Sequence, residues 1–214
     1  MESYVLRVWL PDRPGALGAV ASRIGAVRGD VVGIDILEVG DGQAVDELVV
    51  QLPDATLVDL LVAEVRQVDG VTVEEVRPIG PDGHDPRRAT LEVAAALVAA
   101  KDRHELLTVA RDRAPRSLQA SWVAVTDVAG GTMLVAGDRA PAAGWLAAFA
   151  HGAASATSLG GAEGEVNDVI CTTLDDVGLV VVAGRDRIAW RERERRQLDA
   201  LAEIVGLRWA ELGS

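Results

Sequence analysis

Residues 4–10 place apolar side chains on alternate positions, Tyr4, Leu6, Val8 and Leu10, with Arg7 on the other face. This period of two predicts a strand. After Gly15 the apolar spacing turns helical, through Leu17, Val20, Ile24 and Val27. The pattern then predicts a strand over 31–39, a tight turn at Gly40-Asp41-Gly42 and a return strand over 44–52. A second helix is expected over 56–68, with Leu57, Leu60, Leu61, Val65 and Val68 on one side, and a last strand over 72–79. The order is βαββαβ, the split βαβ, ferredoxin-like arrangement.

Residues 80–88, GPDGHDPRR, are rich in Gly, Pro and Asp and read as a linker over 81–88 between two domains, 1–80 and 89–214. Two helices are expected next, over 89–100 and 103–114. Leu91, Ala94, Ala95 and Val98 would line the first; Leu106, Leu107 and Ala110 would line the second. Strands are expected over 121–128 and 132–136, joined at Gly130-Gly131, then a short helix over 145–154 and a Gly/Ser-rich loop over 156–165. A second strand pair, 169–174 and 178–183, turns at Asp175-Asp176. A long amphipathic helix over 191–212 carries Leu198, Leu201, Ile204, Val205, Leu207 and Leu212. The fold class is therefore α+β, with an antiparallel sheet flanked by helices in the second half.

The strand–helix junction, LPDRPGALGAV over 10–20, carries the clearest chemistry. Asp12 has the right side chain to cap the helix that follows. Pro14 fits a first turn, where its missing N–H would be unpaired anyway. Gly15 removes bulk where a ligand or another backbone could approach. Unpaired amides at Gly15, Ala16 and Leu17, at the positive end of a helix dipole, suit a carboxylate.

With the motif D-R-P-G-A-L at 12–17 on that junction, residues 4–79 resemble an ACT domain, a small regulatory module that senses amino acids. The resemblance implies a ligand site of Asp12, Arg13, Pro14, Gly15, Ala16, Leu17, Asp30, Val31 and Val32, with the α-ammonium met by Asp12 or by Asp30 of a partner subunit. Amino-acid-binding members often carry Gly-x-Asn before the second strand. Here Arg28 and Asp30 stand in those positions. An Asp would accept from an α-ammonium and repel a nearby carboxylate. Leu10 is apolar where serine-sensing relatives often carry a polar residue, which favours an aliphatic ligand or no ligand at all. The second half resembles a reduced GAF domain, most closely over 177–201, VGLVVVAGRDRIAWRERERRQLDAL. Such modules serve as small-molecule sensors or dimerisation units.

Composition narrows the partners. The chain has 214 residues, 49% of them hydrophobic, which is enough for two packed domains. Its net charge is −12. Residues 1–83 hold 6 basic and 15 acidic side chains, so −9, which argues against nucleic acid there. Basic residues cluster over 185–196, where Glu192 and Glu194 interleave them; a solvated helix face is expected. No apolar run approaches the length of a membrane span, about 18 residues. No signal peptide is read at the N-terminus and there is a single cysteine, so a cytoplasmic protein is expected. Arg outnumbers Lys twenty to one, which points to a GC-rich bacterial genome.

His84, His104 and His151 have no second ligand at metal spacing, so no metal is expected. No nucleophile elbow and no phosphate loop occur, so no catalytic residue and no cofactor are expected. Cys171 reads as a small core residue. Trp9, a large aromatic on a mixed strand face, reads as an interface residue. The expectation is a non-enzymatic regulator that binds an amino acid as a homodimer and acts on a protein partner. The alternative is a dimerisation or adaptor protein with no ligand.

Overall fold

The computed structural model describes residues 1–80, 85–158, 168–186 and 188–213, with side chains of 156–158 excepted. Strand β1 (Glu2–Pro11) lies inside a four-stranded antiparallel sheet with β2 (Asp30–Gly40), β3 (Gln43–Leu52) and β4 (Thr72–Pro78), in the order β2-β3-β1-β4. Helices α1 (Ala16–Ala26) and α2 (Val58–Val65) complete the βαββαβ order. This is the ferredoxin-like topology. Alternation explains the packing: Leu6, Val8, Leu10, Leu48, Val50 and Leu52 share one sheet face with Val20, Ile24, Leu61 and Val65 of the helices. Each fully buried Leu or Ile here contributes about 1.5–3 kcal/mol.

The second unit begins at Asp85. It holds helices α3 (Pro86–Ala99) and α4 (Arg103–Leu118), strands β5 (Trp122–Asp127) and β6 (Thr132–Ala136), and helix α5 (Ala143–Ser158). Strands β7 (Val169–Leu174) and β8 (Leu179–Gly184) and helix α6 (Glu192–Glu211) follow. Its sheet has the order β6-β5-β8-β7. One face packs Val123, Val125 and Val181 against Leu97, Leu106, Leu118, Leu198 and Val205 of α3, α4 and α6. The other packs Trp122, Ala124, Val180 and Val182 against Leu146 and Ala150 of α5. Strand β8 is covered on both sides, so its residues LVVVAG are all buried. Arg191–Arg193 belong to the first unit. Among the described residues, no strand of one sheet pairs with a strand of the other.

Several expectations need correction. The expected helix over 56–68 is a 3-10 turn, Ala55–Leu57, followed by the short α2. Asp54 begins it by accepting from the Thr56 amide at 2.8 Å. Leu60 is exposed, while Leu61 and Val65 face the core. Helix α3 starts at Pro86, inside the expected linker, because the Asp85 side chain caps the Arg88 amide at 2.9 Å and Pro86 fits the first turn. Residues 81–84 of that linker lie outside the described residues. Helix α3 buries Val93 and Leu97, not Leu91 and Val98, which are exposed. Helix α4 runs past Ala114 with Pro115 in its last turn and ends at Leu118, capped by Gln119, whose φ is +55°. Helix α5 extends to Ser158, so 156–158 are not loop; 159–165 lie outside the described residues. On α6, Leu207 is exposed. Cys171 is only partly buried, packed against the Trp122–Leu146 cluster and in no disulfide.

The basic cluster over 185–196 is not a solvated face, since Arg185, Arg191 and Glu194 are buried. The Arg185 guanidinium donates to both oxygens of Glu194, at 2.6 and 2.7 Å, and to the carbonyls of Ile188 at 3.0 Å and Ala189 at 2.8 Å. It also stacks 4.0 Å from the centre of the Trp190 ring. One cation thus ties β8, the connection after it and the start of α6 together.

The cap of α1 also differs from expectation. Asp12 makes no cap; the N-cap is Gly15 at φ +90°, ψ −14°, without a side-chain cap. The Ala16 amide closes on the Arg13 carbonyl at 3.2 Å, so Arg13-Pro14-Gly15-Ala16 is a β-turn. Proline second and glycine third, with this φ and ψ at Gly15, make it type II. Because nothing lies within 4 Å of a Cβ built there, only backbone strain opposes a side chain at Gly15. Gly15→Ala should therefore cost about 1–2 kcal/mol. Gly18→Ala, in the helix and equally unobstructed, should instead gain up to about 1 kcal/mol. Urea-unfolding midpoints check the pair; equal midpoints would show that the turn is not held in this form.

Candidate functional site

Strand β1 carries the chain to Pro11, and the segment from Asp12 to Gly15 stands exposed at that end of the sheet. Two backbone bonds hold it: the Asp12 amide to the Gly42 carbonyl at 2.9 Å, and the Arg13 amide to the Pro11 carbonyl at 2.8 Å. The first ties the turn to the β2–β3 hairpin. Of the three amides expected to be unpaired, the Ala16 amide is taken by the turn. The Ala19 amide bonds Gly15, so the helical ladder starts there. The Leu17 and Gly18 amides meet no acceptor among the described residues and sit at the positive end of α1. A Cβ at Gly15 or Gly18 would meet nothing within 4 Å, so the approach is open. Leu17 is partly buried and Ala16 fully.

A residue that the sequence reading did not single out lies nearby. Asp46 is 3% exposed, and its Oδ1 has no hydrogen-bond partner among the described residues. It pairs with Val8 on one side and Ile36 on the other, so its side chain is on the sheet face that carries α1. Burial first, and then the Asp12 carboxylate, hold its carboxyl above the usual range. The signal was present in the sequence. Along β3, the core-facing set Ala44, Asp46, Leu48, Val50, Leu52 is apolar at every position but one.

Asp30, Val31 and Val32 are not brought to this place. Strands β1 and β2 both run antiparallel to β3, so they point the same way. Gln51 pairs with Ser3 and Asp30, whereas Gln43 pairs with Pro11 and Gly40. Asp30 is thus eight residues of strand from the Asp12 end, about 27 Å at 3.4 Å per residue. The turn into β2 explains its geometry. Arg28 takes φ +61°, a conformation that favours glycine, and Gly29 packs so closely that a Cβ would meet Ile24 Cγ2 at 2.8 Å. Asp30 itself is exposed.

Strand β2 is the sheet edge. Val32, Ile34, Ile36 and Val39 on it are about half exposed, an apolar edge of the kind usually paired or covered. The opposite sheet face is polar at its centre. Arg7, fully buried, donates from Nε and Nη2 to Glu47 Oε1 at 3.1 and 2.8 Å, and Arg77 adds a bond to the same oxygen at 3.4 Å. Trp9, expected at an interface, donates its indole N–H to Glu74 at 3.4 Å and lies 4.5 Å beneath the Arg191 guanidinium, which also pairs with Glu74. Among the described residues, no three metal-ligating side chains cluster, and no helix is long and apolar enough to cross a membrane.

No family model matches this chain, and no curated protein matches it. Solved structures similar to it include the ACT domain of a GTP pyrophosphokinase from Chlorobium tepidum. That one is 18% identical, with a TM-score of 0.30, and the match covers 37% of this chain and all of that one. An ACT domain protein from Streptococcus pneumoniae is 16% identical over 36% of this chain and 89% of that one, with a TM-score of 0.30. An unknown protein from Galdieria sulphuraria is similar over 98% of this chain and 94% of that one, at 12% identity and a TM-score of 0.34.

Proposed function

We propose that this chain is a non-enzymatic cytoplasmic regulator that binds an amino acid at the β1–α1 turn of its first unit and works as a homodimer. The observation that carries the reading is the pair of unused amides, Leu17 and Gly18, at the start of an unobstructed helix. Amides in that position take a carboxylate. The carboxylates of Asp12 and Asp46 close by suit an ammonium. Dimerisation supplies the rest. Two β2 edges related by a two-fold axis run antiparallel, so the start of one lies beside the end of the other. In that pairing Asp30, Val31 and Val32 of the second copy approach the Asp12 end of the first, and the apolar edge is covered. Ligand binding across such a contact would favour one arrangement of the two first units, and a protein partner would read it. The second unit, with helices on both faces of its sheet, we read as a GAF-like module.

Calorimetry with each of the twenty amino acids tests the reading. At least one should bind at millimolar concentration or tighter. Gly15→Val is a poor steric probe because of the positive φ at Gly15. Gly18→Leu is better: it is helical, improves helix propensity and projects a side chain over the open amides. It should abolish binding without lowering the melting temperature. If none of the twenty binds the native protein, the dimerisation or adaptor reading takes over. The half-exposed Val32, Ile34, Ile36 and Val39 on β2 favour it, since they need a pairing partner and no ligand.

A further inference from the structure

Resting on the amino-acid reading above, we infer that Asp46 is the residue that selects the ligand's ammonium group, and that the ligand is an aliphatic α-amino acid held between Asp46 and the amides of Leu17 and Gly18. A carboxylate oxygen with 97% of its residue buried and no hydrogen-bond partner is unfavourable, and most buried polar atoms avoid it. A second carboxylate, Asp12, adds repulsion. A water molecule could meet the unpaired oxygen but would leave that repulsion in place. A primary ammonium brings three donors and a positive charge, so it answers both deficits together.

The placement fits one ligand. Asp46 projects from the sheet face that carries α1, and Asp12 begins the turn that ends at the α1 N-terminus. An α-amino acid carries its ammonium and carboxylate on one carbon, so a ligand held between Asp46 and the Leu17 and Gly18 amides meets opposite charge or dipole at both ends. Ile36, the cross-strand neighbour of Asp46, is 55% exposed and provides an apolar wall for the ligand's side chain. In this arrangement Asp30 of a second copy is not needed to bind the ammonium.

Calorimetry on the full chain tests this with the aliphatic amino acids, alanine, valine, leucine and isoleucine, and their 2-hydroxy acid counterparts. Asp46→Asn keeps the shape and removes the charge. It should weaken amino-acid binding at least 50-fold while leaving the melting temperature equal or higher. The hydroxy acids should bind the native protein at least 100-fold more weakly than the amino acids, a measurement that needs no variant. Equal affinity of native protein and Asp46→Asn, or hydroxy acids binding as tightly as amino acids, would overturn the role of Asp46 and leave the sensor reading standing. Binding of only polar or aromatic amino acids would overturn the aliphatic assignment. No amino acid binding the native protein would overturn the sensor reading itself, and this inference with it.

Discussion

Arg185→Met is expected to destabilise the second unit by about 3–5 kcal/mol, because it removes one member of a buried ion pair. Arg185 and Glu194 have side chains 5% and 7% exposed. The substitution strips Glu194 of two guanidinium bonds and the Ile188 and Ala189 carbonyls of one each. It also removes the cation stacked on Trp190. The double variant Arg185→Met, Glu194→Leu should cost clearly less than the two single changes added, since neither member of the pair is then left without the other. Hydrogen exchange of peptides from β8 and α6 under native conditions reads the loss locally. A change below about 1 kcal/mol for the single variant would mean that water reaches the pair and that the clamp is not buried in solution.

Glu47→Leu is expected to cost a similar amount, about 3–5 kcal/mol, in the first unit. Arg7 is fully buried and sends both Nε and Nη2 to Glu47. Arg7→Met should cost less than Glu47→Leu, because Arg77 still reaches the same carboxylate oxygen at 3.4 Å. Little of this should be lost on adding salt, as buried pairs are weakly screened. The Arg139–Asp186 pair gives the contrast: its side chains are 67% and 68% exposed, so Arg139→Ala should change stability by less than about 1 kcal/mol. Denaturant titrations at low and high salt separate the two classes, read by exchange at β1 and β3 amides for Glu47 and at β5 and β8 amides for Arg139. Equal salt sensitivity at Glu47 and Arg139 would contradict the buried assignment.

Both pairs sit where a residue-by-residue reading sees only charge. Arg7 follows the alternation of β1, so the sequence correctly puts it on the face opposite Leu6 and Val8. That this face is buried, and that Glu47 of β3 lies directly across from Arg7, depends on the β1–β3 register. Likewise Arg185 and Glu194 are separated by a bend in the chain, and period counting cannot bring them together.

The sequence by itself determined the element order, the tight turn at Gly40-Asp41-Gly42, the strand-to-helix change at Gly15 and the two paired-strand sets of the second half. These follow from local causes: side-chain period, glycine at positive φ and proline without an N–H. It also kept Asp12 through Leu17 together at the β1–α1 turn, because they are adjacent in the chain. Tertiary structure alone decided what depends on neighbours. Helix α3 has two apolar stripes, and only packing against the second-unit core chose Val93 and Leu97 over Leu91 and Val98. The parallel run of β1 and β2 sent Asp30 to the far end of the sheet. The same register put Asp46, one acid in an apolar set, on the sheet face that carries α1. Burial and partner are properties of position in space, and a chain read in order carries them only where its own periodicity fixes that position.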